Sequence, residues 1–274
     1  MPIIAITREM GSLGKDVADG LGRTLGLPVF YHEVVDHLAD RMRVRKSHVI
    51  RLLDGSAGLF ERLTADKTSL AIYSADEIFE LALRGDGAVV RGWGATHLLR
   101  DVPHAICVRV CAPIELRKRR MMQRLKTDDD KTVHVEIHCN DEAHTAIMRR
   151  NFGLQWTDPE NYDVVFNTER VSIDECVDEV VRLVKSQAFS ETDESRQQLK
   201  DLALAARVRA ALRLSPLTRD TKISVTSKAA RVTLAGEVST DVLLAVAGVV
   251  SVVPGVADFD YRLLVPEKQK QQVN

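Results

Sequence analysis

The stretch "TREMGSLGKDVA", residues 7–18, follows a short apolar run and precedes a segment with helical periodicity. Where a strand turns into a helix, backbone amides and an ammonium group can surround a phosphate, and three residues here have the required types: Gly11, Gly14 and Lys15. The usual pattern G-x-x-x-x-G-K-[ST] requires glycine at position 9 and a hydroxyl residue at position 16. This chain has Glu9 and Asp16 there. From this segment alone, a phosphate-binding loop and an ordinary glycine-containing turn remain equal alternatives.

Apolar runs and helical segments alternate on both sides of this stretch. The helix over residues 15–26 is predicted to end at Gly26, and Ser172 with Glu175 forms a capping box at the start of another helix. Apolar strands separated by helices favour a parallel sheet covered on both faces, an α/β fold. Five strands are predicted, over residues 3–7, 28–31, 88–94, 104–112 and 162–168.

Composition limits the class of protein. The chain has 274 residues, 45% hydrophobic and 28% charged, and a formal net charge of −1, so no bulk field recruits nucleic acid or an anionic membrane. The first residues lack the pattern of a signal peptide, and every apolar run is too short for a transmembrane segment. Four cysteines make no disulfide framework. We therefore expect a cytoplasmic protein that does not bind nucleic acid.

The chain changes character near residue 190, where "SETDESRQQ" contains no apolar residue. We interpret residues 189–198 as a polar linker. It separates a first domain, residues 1–188, from a second domain, residues 199–265. The last residues, 266–274, are predicted to be a polar tail.

Two motifs of the first domain resemble those of the cytidylate kinase-like family, a branch of the P-loop nucleoside monophosphate kinases. They are "TREMGSLGKDVADGLGRTLGLPVFY", residues 7–31, and "DPENYDVVFNTERVSIDECVDEVV", residues 158–181. That branch tolerates a loop without the first glycine and without the hydroxyl residue. The resemblance implies a three-layer P-loop NTPase fold with a parallel sheet, ATP as phosphate donor, Mg²⁺ and a nucleotide acceptor.

The resemblance also implies roles for the loop. It would hold the donor phosphates, with Mg²⁺ bound through Ser12 or Asp16. Asn167 and Thr168, after the last strand, are candidates for the border of the adenine site, with an ordinary strand-to-helix loop as the alternative. The nucleotide-binding set is Gly11, Ser12, Leu13, Gly14, Lys15, Asp16, Asn167 and Thr168.

Phosphoryl transfer requires positive charge around the migrating group. Arg117, with Arg120 and Arg124, lies at helical spacing on one predicted face, and Arg149 with Arg150 ends another predicted helix. A solvated basic helix face is the alternative for such a charge run. With the family in view, the predicted catalytic residues are Lys15, Arg117, Arg149 and Arg150.

The acceptor side is predicted near the end of the third strand. In the resembled family this strand often ends in Gly-Arg-Gly, whereas here it ends in "RGWG", residues 91–94. Arg91 and Trp93 share a face in a strand, so Arg91 is predicted to bind the acceptor phosphate and Trp93 to stack on a base. A core position is the alternative for Trp93. Asp36 is a further candidate for the acceptor base.

Histidines in the predicted lid raise a second possibility. His134, His138, Cys139 and His144 could in principle bind zinc, although their spacing fits no familiar site. Surface histidines on a charged lid are the simpler interpretation. His144 also departs from the arginine that the resembled family often has nearby.

The second domain has the predicted order α-β-β-α-β, and its motifs "RVTLAGEV" and "VVPGV" resemble the BON domain. That resemblance implies a small α+β module that binds a small ligand or a phospholipid. Two functions are therefore open. One is an ATP-dependent kinase for a nucleoside monophosphate such as CMP, and the other is a catalytically degenerate nucleotide sensor that signals through the BON domain.

Overall fold

The computed structural model describes residues 1–47, 49, 67–92 and 94–264. The chain divides into two compact units, the first ending at Arg196 and the second beginning at Gln197. Among the described residues, no helix combines the length and apolar character needed to cross a membrane.

The first unit is an α/β domain built on one parallel sheet with flanking helices, which confirms the predicted fold class. The sheet has five strands in the order β2-β3-β1-β4-β5. All five predicted strands are present. The sequence also predicts a mostly helical region over residues 40–85, of which residues 48 and 50–66 lie outside the described residues. The elements are β1 (Ile3–Arg8), α1 (Gly14–Leu25), β2 (Val29–Phe30), α2 (His32–Met42), α3 (Lys67–Leu83), β3 (Ala88–Arg91), α4 (Ala95–Leu98), β4 (Ala105–Cys111), α5 (Ile114–Leu125), α6 (Asp130–Phe152), β5 (Val164–Asn167) and α7 (Ile173–Val184).

The core of this domain follows from the apolar periodicity of its helices. One face of α1 and one face of α7 are buried against β1, β4 and β5, and Phe166 closes this cluster from β5. The predicted caps of both helices are confirmed: Gly26 ends α1 in the left-handed conformation, and Ser172 and Glu175 form the capping box of α7. The packed residues on the two helices are Val17, Ala18, Leu21, Cys176, Val177 and Val180.

Strand order decides where a ligand can bind. The central strand β1 pairs in parallel with β3 on one side and with β4 on the other. The connections from β1 therefore diverge at its carboxyl end, which opens a crevice of the kind that binds ligands in α/β sheets. β1 ends at Arg8 and β3 ends at Arg91, at this edge.

The second unit has the predicted order of one helix, two strands, a helix and a strand. Its sheet has the order β6-β7-β8, with β6 antiparallel and β8 parallel to β7. Val225, Val232 and Leu234 are buried in its core, as the alternation predicts. The elements are α8 (Asp193–Leu214), whose first four residues precede the start of this unit, β6 (Ser224–Lys228), β7 (Arg231–Glu237), α9 (Thr240–Ser251) and β8 (Asp258–Leu264).

The polar segment predicted as a linker is in part helical, because α8 already begins at Asp193. Its first turn is capped reciprocally: the Ser195 amide donates to the Thr192 hydroxyl at 3.1 Å, and the Thr192 amide donates to the Ser195 hydroxyl at 2.9 Å. A segment without apolar residues can still start a helix when its side chains cap the free amides. The domain limits 1–188 and 199–265 stay a prediction.

Candidate functional site

The loop between β1 and α1 has the backbone of an anion-binding turn. Leu13 adopts a left-handed conformation with φ 66°, and α1 begins directly after it at Gly14. Gly11 has φ 80°, and a Cβ there would lie 2.8 Å from the carbonyl oxygen of Arg117. Only glycine, which has no Cβ, allows the backbone to lie this close to the Arg117 carbonyl oxygen. The free amides of the first turn of α1 are therefore held at the carboxyl edge of the sheet.

Glu9, where the usual pattern has glycine, fastens the loop to β4. Its carboxylate accepts hydrogen bonds from the Arg109 guanidinium at 2.6 Å and from the Ala112 amide at 3.1 Å. Its own amide donates to the Val110 carbonyl at 3.1 Å. The carboxylate is thus engaged in a partly buried network, and the departure from the pattern is a structural fastening of the loop.

Arg117 was predicted to contact the migrating phosphoryl group, but the structure places it inside this network. It pairs with the Asp141 carboxylate at 2.8 Å and lies 3.6 Å from that of Glu9, and only 7% of its surface is exposed. It also donates to the Met10 carbonyl at 3.4 Å. The reason is its helical phase, which directs it beneath the loop, where it ties the loop to α6.

The two hydroxyl residues of the nucleotide-binding set are also internal. Ser12 is fully buried and its hydroxyl donates to the Val110 carbonyl at 2.9 Å, while its role as an Mg²⁺ ligand stays a prediction. The buried Thr168 hydroxyl donates to the Ser12 carbonyl at 2.8 Å. Arg120 donates to the Thr168 hydroxyl at 2.9 Å and to its carbonyl at 2.8 Å. Thr168 therefore braces the loop.

A charged cleft of about 540 Å³ opens over the loop. The Lys15 and Asp16 side chains are exposed there, and Asp16 is the only acidic residue of its described lining. One wall is the loop and the other is α5, which contributes the guanidinium groups of Arg120 and Arg124. We call it the donor cleft, lined by Arg8, Gly11, Leu13, Gly14, Lys15, Asp16, Arg120, Met121, Gln123 and Arg124.

Three other predicted residues do not line this cleft. Arg149 and Arg150 are exposed near the end of α6, and Arg149 donates to the Gln155 side chain at 3.3 Å. Their helical phase directs them to solvent. Asn167 is exposed, and its side-chain oxygen accepts a hydrogen bond from the Glu169 amide at 3.0 Å, so it caps the turn after β5.

A second pocket, which we call the acceptor pocket, lies at the same sheet edge beyond Arg8. Arg91 lines it, is 7% exposed, and lies over the Tyr31 ring at 4.1 Å from the ring centroid. Arg91 Nε has no hydrogen-bond partner among the described residues. Burial lowers the pKa of Arg91, and the Arg8 charge lowers it further. The lining is Thr7, Arg8, Tyr31, Arg91, Gly92, Gly94, Asn140, His144, Ile147 and Met148.

His144 faces the acceptor pocket as a neutral ring. It stacks on Trp156 with ring centroids 4.0 Å apart. Burial lowers its pKa to about 4, with further contributions from the charges of Arg8 and Arg109. Within the described part of the chain, no group of three histidine, cysteine or acidic side chains could hold a metal ion. The zinc alternative at His134, His138, Cys139 and His144 therefore has no support in these residues.

Of the two remaining acceptor candidates, the structure describes only Asp36. Asp36, on α2, forms an ion pair with Lys46 and is not among the described lining residues of the donor cleft or the acceptor pocket. Trp93 lies outside the described residues.

Several residues that line the donor cleft or the acceptor pocket were not predicted from the sequence. Arg8 lines both of them, and its only signal was its place at the last position of the first strand. Tyr31, Asn140 and Ile147 come from distant segments and gave no signal. Arg120 was predicted as part of a basic helix face, but only the structure shows its hydrogen bond to the Thr168 carbonyl.

Comparisons with known proteins agree with this architecture. A family model described as "Cytidylate kinase-like family" matches residues 3–170, and the model of the BON domain matches residues 200–265. No curated protein matches the chain.

Solved structures are similar to part of this chain. An uncharacterized protein from Eubacterium ventriosum is 22% identical, with a TM-score of 0.53, and the match covers 68% of this chain and 100% of that one. Shikimate kinase from Bacteroides thetaiotaomicron is 14% identical, with a TM-score of 0.42, and the match covers 68% and 99% of the two chains. Shikimate kinase from Acinetobacter baumannii, in complex with shikimate, is 15% identical, with a TM-score of 0.42, and the match covers 69% of this chain and 96% of that one.

Proposed function

The chain belongs to the cytidylate kinase-like family and carries a BON domain, and we propose that it transfers a phosphoryl group from ATP to a nucleoside monophosphate such as CMP. One observation carries this proposal. A phosphate-type loop and a pocket with a buried arginine open at the same sheet edge, on either side of Arg8. Phosphoryl transfer requires two anions to be held close together by positive charge.

ATP occupies the donor cleft in this proposal. The amides at the start of α1 and the Lys15 ammonium hold its phosphates, while Arg120 and Arg124 face them from α5. Positive charge in the cleft exceeds negative charge because Asp16 is its one acidic side chain among the described residues.

Among the described lining residues of this cleft, Asp16 is the one whose side chain suits Mg²⁺. Its carboxylate is exposed beside Lys15, and a hard cation prefers such an oxygen ligand. The ion would supply charge neutralisation between the donor phosphates. Ser12 is less suited because its hydroxyl is buried and donates to Val110.

The acceptor occupies the acceptor pocket. Arg91 offers an unpaired Nε–H from a buried position, which suits a phosphate oxygen. Tyr31 and Met148 supply apolar surface in the same lining, which suits a nucleoside. The match to the family favours CMP within this class.

A panel of nucleoside monophosphates, assayed with ATP and Mg²⁺ through ADP release, tests the proposal. We expect turnover with at least one acceptor and a loss of at least about a hundredfold in Lys15→Ala. Arg23→Ala is the matched control, because Arg23 is an exposed cation on the same helix, outside both clefts. ATP binding without transfer to any acceptor would contradict the kinase and support the alternative.

That alternative is a nucleotide sensor that signals through the BON domain, with a small ligand or a phospholipid as its partner. The observation that favours it is the engagement of Arg117, which cannot reach a phosphate while it pairs with Asp141 and Glu9. In both proposals the protein works in the cytoplasm.

A further inference from the structure

Arg8 is shared by the donor cleft and the acceptor pocket, and no other described residue is. It is the last residue of β1, where the phosphate loop leaves the sheet. On one side of it lie Gly14 and Lys15, and on the other side lie Arg91 and His144. Its place in the chain therefore puts its side chain at the junction of the two sites.

Gly14 fixes the path of the Arg8 side chain. A Cβ on Gly14 would lie 2.6 Å from Arg8 Cβ and 3.4 Å from Arg8 Cδ. The same atom would lie 3.2 Å from Val110 Cβ, so neither side of the gap is open. The aliphatic stem of Arg8 thus packs on the first residue of α1, and the absence of a side chain at Gly14 provides its space.

The charge of Arg8 reaches into the acceptor pocket. It lowers the pKa of Arg91, after burial, and it also lowers the pKa of His144. Tyr31 and Asp19 act on Arg91 in the opposite direction. The described lining of this pocket contains two arginines and no carboxylate, and this excess of positive charge suits an anion.

We propose that Arg8 bridges the two bound anions, with its guanidinium group on the terminal phosphate of the donor and on the phosphate of the acceptor. This role rests on the proposed function. The P–O bond between the terminal phosphorus and ADP breaks as a P–O bond to the acceptor phosphate oxygen forms. The electron pair of the broken bond stays on ADP, and no redox partner is needed. Arg8 offers the fork geometry that two phosphates can share.

Binding of two probes to the full chain tests this role without turnover. The probes are a non-hydrolysable ATP analogue with Mg²⁺ and inorganic phosphate, each titrated separately by calorimetry. Arg8→Met should weaken each probe by about tenfold, because each loses one charged hydrogen bond. Lys15→Met should weaken only the ATP analogue, and Arg91→Met should weaken only phosphate.

Gly14→Ala is the sharper variant. Although Gly14 lies in the donor loop, the new methyl group should displace Arg8 and weaken phosphate binding in the acceptor pocket. Arg23→Met is the control that should change neither affinity. Arg8→Lys keeps the charge but loses the planar two-pronged donor group, so it should weaken both probes, each by a smaller factor than Arg8→Met. It also covers the case in which Arg8→Met fails to fold.

The outcomes separate this role from the proposed function. If the wild-type chain binds neither probe, the proposed function and this role both fail. If the wild type binds both probes and the folded Arg8 variants weaken only one or neither, the bridging role alone is overturned.

Discussion

The donor cleft and the acceptor pocket share one sheet edge but are assembled in different ways. Six of the ten lining residues of the donor cleft lie between positions 8 and 16, and the other four lie on α5. The acceptor pocket draws on β1, the start of α2, the end of β3 and α6. The first site is thus mostly local in sequence, whereas the second exists only when four distant segments pack together.

This difference determines how each site should respond to change. The donor loop is fastened from below by Glu9, Ser12 and Thr168, so its geometry depends on buried hydrogen bonds away from the ligand. The acceptor pocket depends on side chains that themselves face the ligand, such as Arg91 and His144. Substitutions beneath the donor loop should therefore change stability, and substitutions in the acceptor pocket should change binding.

Glu9→Gly gives the largest expected effect and tests the fastening directly. It restores the glycine of the usual loop pattern, yet it leaves Arg109 without its carboxylate partner and Arg117 with only Asp141. Removing one partner of a partly buried charged network should lower the free energy of unfolding by about 3 kcal/mol. Urea denaturation followed by circular dichroism measures it.

Glu169→Gly is the matched control, since Glu169 is an exposed acid in the loop after β5. It should change the free energy of unfolding by no more than about 0.5 kcal/mol. If Glu9→Gly were as stable as the wild type, or more stable, Glu9 would not fasten the loop, and the contrast between the two sites would lose its basis.

Arg91→Gln tests the other half of the comparison and should have an intermediate effect. We expect the KM for the monophosphate to rise by about tenfold, because a charged hydrogen bond to its phosphate is lost. The affinity for ATP should stay within about twofold, since Arg91 does not line the donor cleft. Initial rates with each substrate varied in turn separate the two constants, and an equal loss for both substrates would contradict a separate acceptor pocket.

The same difference explains what the sequence could predict. The fold was accessible because the five strands and the caps at Gly26, Ser172 and Glu175 follow from local patterns. Gly14 and Lys15, which line the donor cleft, could be proposed as site residues for the same reason, as members of one continuous segment. Each of these signals is carried by neighbouring residues and needs no tertiary contact.

Sequence patterns do not show the surroundings of a side chain where a tertiary contact determines them. The helical spacing of Arg117 and Arg120 was correct, but only packing shows that Arg117 points beneath the loop and pairs with Asp141. Ser12 and Thr168 have hydroxyl groups that could have faced a ligand, yet both are used internally. The phase of α6 likewise directs Arg149 away from both clefts.

A pH titration of His144 gives the smallest effect and sharpens the comparison, because the described lining of the donor cleft contains no histidine. Burial lowers the pKa of His144 from 6.5 to about 4, so the unfolded chain binds a proton more readily than the folded chain. The stability that the neutral ring contributes is therefore complete above pH 6.5 and is lost as the pH falls toward 4. Because the ring is only partly buried, we expect a loss of about 1 kcal/mol between pH 7 and pH 5, less than the full shift at about 1.4 kcal/mol per pKa unit would give.

His144→Gln should lack this component while His97 and His104 titrate as before, so the difference between the two denaturation curves isolates one ring. Equal pH dependence in both proteins would show that His144 is not held neutral, and the acceptor pocket would then be as insensitive to pH in this range as the donor cleft.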